Sequence, residues 1–302
     1  MEEKENLPVP ATRPVPGGAV RLNSRLADLA CWLAPAWSVL CGIVTSESFA
    51  WRQGDQWLRL AVLLLLVDGT WGTLWDALAS TDWATSLMRW RRWQASDHLA
   101  ALPYTQPDTP GHRVARWLAQ FRSWWQKDLR PSCGAAIAAI AVTLPVGVAL
   151  SAWLGSELAL LSLAALALAQ LGALWEGGRG RVSPGWNALV VVLLPWLAGH
   201  TAFAPLSLSS AVLALCFAVA YAAMWANKQR LARLVLIAAY ALAMALLLAL
   251  RVPVAATAVG VLLVPQLALL RPLVRNPQPG AWYARYARFW WLAASLLASW
   301  AL

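Results

Sequence analysis

Three carboxylates crowd one stretch, VDGTWGTLWDALASTDW, from Val67 to Trp83. An unpartnered carboxylate in hydrocarbon costs several kcal/mol, so such residues point to ion or substrate chemistry before they point to packing. Asp68 and Asp76 stand eight residues apart, a little over two helical turns, and face roughly the same way. Asp82, six residues further on, faces elsewhere if the helix runs straight. Asp76 and Asp82 fall at the end of an apolar block, where oxygen ligands can hold Mg²⁺ and bridge it to a phosphate. Two other uses fit the same residues: capping the next helix, or pairing with Arg89, Arg91 and Arg92. Asp68 lies deeper and requires a partner that the sequence does not identify.

The remaining chemistry-bearing residues are sparse. His200, in LPWLAGHTAF, suits either an axial ligand to a porphyrin-like pigment or a polar contact between helices. His98 and His112 lie in a basic stretch without metal-ligand spacing. Cys31, Cys41, Cys133 and Cys216 sit in or beside apolar blocks with no CxxC spacing, which reads as small apolar packing. No GxSxG, HExxH, P-loop or dinucleotide-binding pattern occurs in a fitting context.

The elements that must position these residues are membrane helices. Apolar residues make up 60% of the 302 and charged residues 13%, too apolar for a soluble core to cover. They come in blocks of about 20, the length that crosses ~30 Å of hydrocarbon. The expected spans are 27–46, 57–78, 133–154, 156–175, 186–204, 206–226, 231–250, 253–271 and 286–302. If the N-terminus is cytoplasmic, 21 of the 24 Lys and Arg fall on the cytoplasmic side, and Arg52, Arg59 and Arg251 fall outside. That asymmetry supports an odd number of spans with the C-terminus outside. The expected fold is therefore an all-α integral membrane bundle of about nine helices in the cell inner (cytoplasmic) membrane. Residues 1–26 are expected to form a disordered cytoplasmic tail and 27–302 the membrane domain, with 79–132 as a cytoplasmic cap loop. Basic residues confined to short loops between apolar blocks argue against nucleic acid as a partner.

Within the cap loop, Val114, Trp117, Leu118, Phe121 and Trp125 share one helical face, with Arg113, Arg116, Arg122 and Lys127 elsewhere. That pattern fits a helix lying among lipid headgroups or one that caps the bundle. Trp124, Trp125, Trp186, Trp290 and Trp291 cluster near span ends, as interfacial belts do.

Several stretches resemble the UbiA-type membrane prenyltransferase superfamily. Gly185–Gly199 (GWNALVVVLLPWLAG) is similar to the family's fifth helix, and Arg271–Leu297 to its last inner loop and ninth helix. Trp175–Arg179 (WEGGR) stands where the family has a Tyr-x-x-x-Lys element used on the diphosphate. The resemblance implies nine helices, a cytoplasmic N-terminus and transfer of an isoprenyl group from its diphosphate to an aromatic or ring acceptor. It also implies Mg²⁺ held between two Asp-rich motifs. Here the first is reduced to Asp76 and Asp82, and the second site reads Trp225-Ala-Asn-Lys-Gln-Arg230, with no Asp or Glu after Glu176. The implied diphosphate set is Trp175, Arg179, Lys228 and Arg230, with Asn227 beside them, and Arg233 adds a further cation. One carboxylate cluster cannot build a two-sided Mg²⁺ cage, so the expectation divides. Either the chain is a divergent prenyltransferase, or it is a non-catalytic protein that binds an isoprenoid, quinone or pigment or serves as an assembly subunit of a membrane complex. Membrane lipid is a partner in both cases.

Overall fold

The computed structural model describes residues 29–50, 52–90, 93, 109–176, 183–226, 230–269 and 280–302. The N-terminal tail, Cys31's side chain and most of the loop after Leu269 lie outside that description. Among the described residues every regular element is a helix: α1 (Leu29–Ser46), α2 (Gly54–Ala79), α3 (Trp83–Trp90), α4 (Pro110–Leu154), α5 (Ser156–Trp175) and α6, which runs through Pro184–Ala188, Leu189–Leu193 and Leu194–Thr201. Then follow α7 (Leu208–Trp225), α8 (Arg230–Ala249), α9 (Pro253–Ala268) and α10 (Gly280–Trp300). An apolar chain in lipid must satisfy its backbone hydrogen bonds internally, and helices do so within one segment. Among the described residues, α2, α4, α5, α7 and α8 are long and apolar enough to cross a membrane, and α1 and α9 are shorter apolar helices.

Three helices carry a widened π turn: Leu65–Trp71 in α2, Trp125–Leu129 in α4 and Leu189–Leu193 in α6. The last two end two residues before Pro131 and Pro195. A proline ring inside a helix clashes with the carbonyl four residues back and removes a donor; a wider turn just ahead relieves both. The helix therefore continues through Pro131, and the expected break between an amphipathic cap segment and the third span is absent. α4 runs 45 residues, about 67 Å, more than twice the thickness of the hydrocarbon.

The most deeply buried face of α4 is not the apolar stripe read from the sequence, which touches protein only along its edge. Ala115, Ser123, Trp124 and Asp128 are buried, whereas Val114, Trp117, Leu118 and Phe121 are exposed. α3 runs antiparallel to α4 along this buried face. The Trp124 indole donates to Ser86 O, the Trp93 indole to Ser123 Oγ, and the Trp90 ring meets Trp117, Phe121 and Trp124 edge-on.

Apart from α3, which continues in the sense of α2 and runs antiparallel to α4, successive helices alternate in direction. At one end, Phe49 of the α1–α2 connection meets Phe203 of the α6–α7 connection, and Arg59 donates to Leu154 O at the α4–α5 corner. At the other, Trp75 near the end of α2 donates to Asn187 at the start of α6, and its ring lies against Gly172 near the end of α5. The connections at this second end carry most of the Lys and Arg, so we term it the basic end and the first the far end.

α1 crosses α6 at two glycines. A Cβ on Gly42 would fall 2.0 Å from Trp196 O, and one on Gly199 would fall 2.2 Å from Val39 O. Small residues let backbones approach this closely in membrane bundles, where lipid offers no hydrophobic drive to associate. α6 through α10 pack around α1 on one side, and α2, α4 and α5 pack together on the other. α7 is central, with 56% of its apolar window buried, against 17% in α4 and 22% in α5, which line the periphery. Trp291 belongs to this interior, and Trp124 to a separate buried cluster between α3 and α4. Both are buried, and the Trp291 indole donates to Phe217 O at 3.1 Å.

Candidate ligand-binding cleft

The acidic stretch divides by position. Asp68 lies in the π turn of α2, half-buried. Asp76 is exposed in the last turn of α2. Asp82 immediately precedes α3 and caps it: Oδ1 accepts Thr85 N–H at 3.0 Å and Oδ2 accepts the Thr85 hydroxyl at 2.7 Å. That is the capping geometry a helix N-terminus calls for. The structure thus brings Asp76 and Asp82 to one short connection at the basic end, but both oxygens of Asp82 already hold Thr85. Among the described residues no three of His, Cys, Asp and Glu converge as a metal site. A Mg²⁺ cage needs more oxygen ligands than Asp76 and Asp82 offer here.

The cationic half of the expected site is less fully described. Arg179, Asn227 and Lys228 lie outside the described residues; Arg230 is the first residue of α8, and its side chain is not described. Trp175 ends α5 with its ring exposed. Arg233 stands one turn into α8, half-buried.

Between α6 and α7 a cleft of about 330 Å³ opens at the basic end, lined by Ser183, Gly185, Trp186, Leu215, Val219 and Ala222 among others. A second, of about 240 Å³, lies between α7 and α8 and shares Leu215 and Val219 with it. Together they form an apolar trough across α7, with Ser183 at its rim. Apart from Trp186, its walls are small or branched side chains, with α7 supplying the alanines Ala218 and Ala222.

His200 occupies the opposite end of α6, buried in a network that ties three helices together. Its Nδ1 lies 3.0 Å from Thr45 Oγ1 of α1, which lies 3.0 Å from Ser210 Oγ of α7, and the Trp196 indole donates to Ser210 Oγ. Its Nε2 lies 3.0 Å from Pro205 O and 3.3 Å from Ser207 N. In either neutral tautomer one ring nitrogen donates and the other accepts. Both are therefore engaged, and no lone pair is left for a pigment metal: the interhelical contact is the arrangement found.

Sequence reasoning did not find Asp128. It is buried in the π turn of α4 and pairs with Arg89 of α3 at 2.7 Å, fastening the cap. An acid between Lys127 and Arg130 reads as one charge in a basic run; its burial shows once α3 packs along α4. The Trp75–Asn187 bond and the Tyr240–Gln266 bond (2.5 Å, both buried) were likewise unseen, because each joins residues distant in sequence. No family model, no curated protein and no solved structure matches this chain.

Proposed function

We propose that this chain crosses the cytoplasmic membrane nine times, N-terminus inside and C-terminus outside, and binds an isoprenoid-type ligand in the trough across α7. The observation that carries the binding reading is the trough itself: apolar, running across α7 and along α8, two helices long and apolar enough to span a membrane, and located at the basic end. An isoprenyl tail fits an apolar groove entered from lipid, and its polar head is then left at the helix ends. There Arg230 and Arg233 open α8, and in sequence Arg179 precedes the rim residue Ser183 and Lys228 follows α7. Guanidinium and ammonium groups bind phosphate oxygens directly, so a diphosphate can be held without metal. The resemblance to UbiA-type prenyltransferases supports the same ligand class. The engagement of Asp82 by Thr85 favours binding over prenyl transfer, because leaving-group departure relies on charge neutralisation that this connection does not visibly supply.

Purified protein with Mg²⁺, labelled C15–C20 diphosphates and a mixture of ring acceptors separates the readings. Binding without diphosphate release, abolished when Leu215→Trp or Ala222→Trp fills the trough, is the expected result. Diphosphate release with formation of a prenylated ring restores the enzyme reading. Undiminished binding in both trough variants refutes the assignment of the site.

A further inference from the structure

At the far end, away from the trough, a cleft of about 340 Å³ opens where the first turn of α5, the α6–α7 connection and α2 meet. Its size falls within the range of small-ligand sites. Arg59, Ser156, Glu157, Thr201, Phe203 and Pro205 are among its lining residues. The Arg59 guanidinium is held in place: Nη2–H donates to Leu154 O at 2.9 Å, and its carbon stands 5.8 Å from the Phe203 ring centroid. No acceptor among the described residues takes its other N–H groups. Glu157 lines the same cleft, yet it does not pair with Arg59 within 4.0 Å. Beneath them α5 begins with Gly155 as N-cap and no side-chain cap, so the first-turn N–H groups lack an intrahelical acceptor.

A lone anion entering this cleft meets Glu157, and a lone cation meets Arg59 and the positive end of α5. A zwitterion satisfies both. We infer that the cleft binds a phosphoethanolamine-type group, with its phosphate on Arg59 and the first turn of α5 and its ammonium on Glu157. The cleft lies at the ends of spanning helices, the depth of lipid headgroups, which makes a membrane phospholipid the primary source. This inference stands apart from the α7 trough, and either can fail without the other.

The test uses full-length protein in nanodiscs of phosphatidylcholine doped equally with phosphatidylethanolamine and phosphatidylglycerol, with retained lipids counted by native mass spectrometry. Choline carries no N–H, so it cannot donate to Glu157 as ethanolamine does. Wild type should retain phosphatidylethanolamine over both others by roughly two- to fivefold, the range of an exposed ion pair. Glu157→Gln, an exposed substitution, should remove that preference, and Glu157→Lys should shift it to phosphatidylglycerol. Arg59→Gln should lose retention of both phospholipids; because Arg59 also fastens α2 to the α4–α5 corner, the Glu157 variants are the deciding ones. A parallel calorimetric titration with soluble phosphoethanolamine identifies the source. Glu157-dependent binding there, without lipid preference, upholds the zwitterion chemistry with a solute as ligand. Wild-type preference surviving in Glu157→Gln, or no discrimination in either arm, overturns the inference.

Discussion

Gly42→Ala should be among the most damaging single-methyl additions in this protein. The new Cβ would stand 2.0 Å from Trp196 O and 2.8 Å from His200 N, against 3.4 Å for ordinary contact. Both neighbours are backbone atoms of α6, so no side chain can swing aside, and the helices must part by about 1.4 Å. That displacement also breaks the 3.0 Å contact between Thr45 Oγ1 and His200 Nδ1. Overpacking of this kind costs about 1–3 kcal/mol, and a hydrogen bond between membrane helices adds about 0.6 kcal/mol, giving roughly 2–4 kcal/mol in all. Gly199→Ala should cost a similar amount through Val39 O, at 2.2 Å. The double variant should fall short of the sum, because one separation relieves both clashes. Gly54→Ala is the control: nothing lies within 4 Å of its Cβ position, and alanine in the first turn of α2 should be neutral or slightly stabilising. Reversible unfolding in mixed SDS micelles reads all four. If Gly42→Ala and Gly199→Ala unfold no earlier than Gly54→Ala, then α1 and α6 do not cross at these glycines.

Asp82→Ala should lower stability by about 1 kcal/mol through loss of the α3 cap, while Asp82→Asn should retain it, since asparagine caps as well as aspartate. Thermal unfolding measures this, and retained ligand binding in Asp82→Asn separates a cap from a carboxylate needed for its charge. His200→Phe should cost about 1–3 kcal/mol, because Thr45 Oγ1 and whichever of Pro205 O and Ser207 N the Nε2 tautomer engages lose a hydrogen-bond partner, yet should leave ligand binding at the opposite end of α6 unchanged. Unfolding and binding measured on the same preparation check both halves of that statement.

Helix placement was largely legible because punctuation in this sequence is unambiguous. Gly155 separates α4 from α5 at the expected residue, with φ at 129°, a conformation glycine adopts without strain. Pro253 opens α9 where expected, at a position where its missing N–H is not needed. Pro131 misled for the opposite reason: the π turn ahead of it absorbs the clash, and nothing in local composition announces a π turn. The apolar stripe on α4 identified an amphipathic helix, but the burial of Trp124 and Asp128 beside it was not legible, since both are covered by α3, an element separated from them by the rest of the cap loop. Trp291 resembled a belt residue because an indole near a helix end usually wets its N–H; here Phe217 O takes it instead. The carboxylates were found, yet the use of Asp82 depended on where α3 starts, the least legible property of a sequence. The glycine crossing could not be read at all, because Gly42 and Gly199 acquire meaning only when α1 and α6 are set side by side.

The two ends of α6 behave differently, and that difference bears on how the proposed ligand would enter. Toward the far end, α6 is clamped to α1 by the glycine crossing and to α7 through Trp196, Ser210, Thr45 and His200, with buried bonds from 3.0 to 3.2 Å. The Trp196 and Phe217 rings stack at 5.9 Å just inside that clamp. Toward the basic end, α6 and α7 present Gly185 and Ala222 to one another, and the cleft opens between them. Two helices pinned at one end and lined by small residues at the other form a wedge whose open side meets lipid and the basic connections together. A tail can enter such a wedge sideways without disturbing the clamp, whereas entry from the far end would require breaking the buried network. Ligand binding should therefore leave the Thr45–His200 contact intact, and variants that loosen the clamp should alter stability well before they alter affinity. A clamp variant that lost binding while remaining folded would show instead that the wedge is held open from the far end.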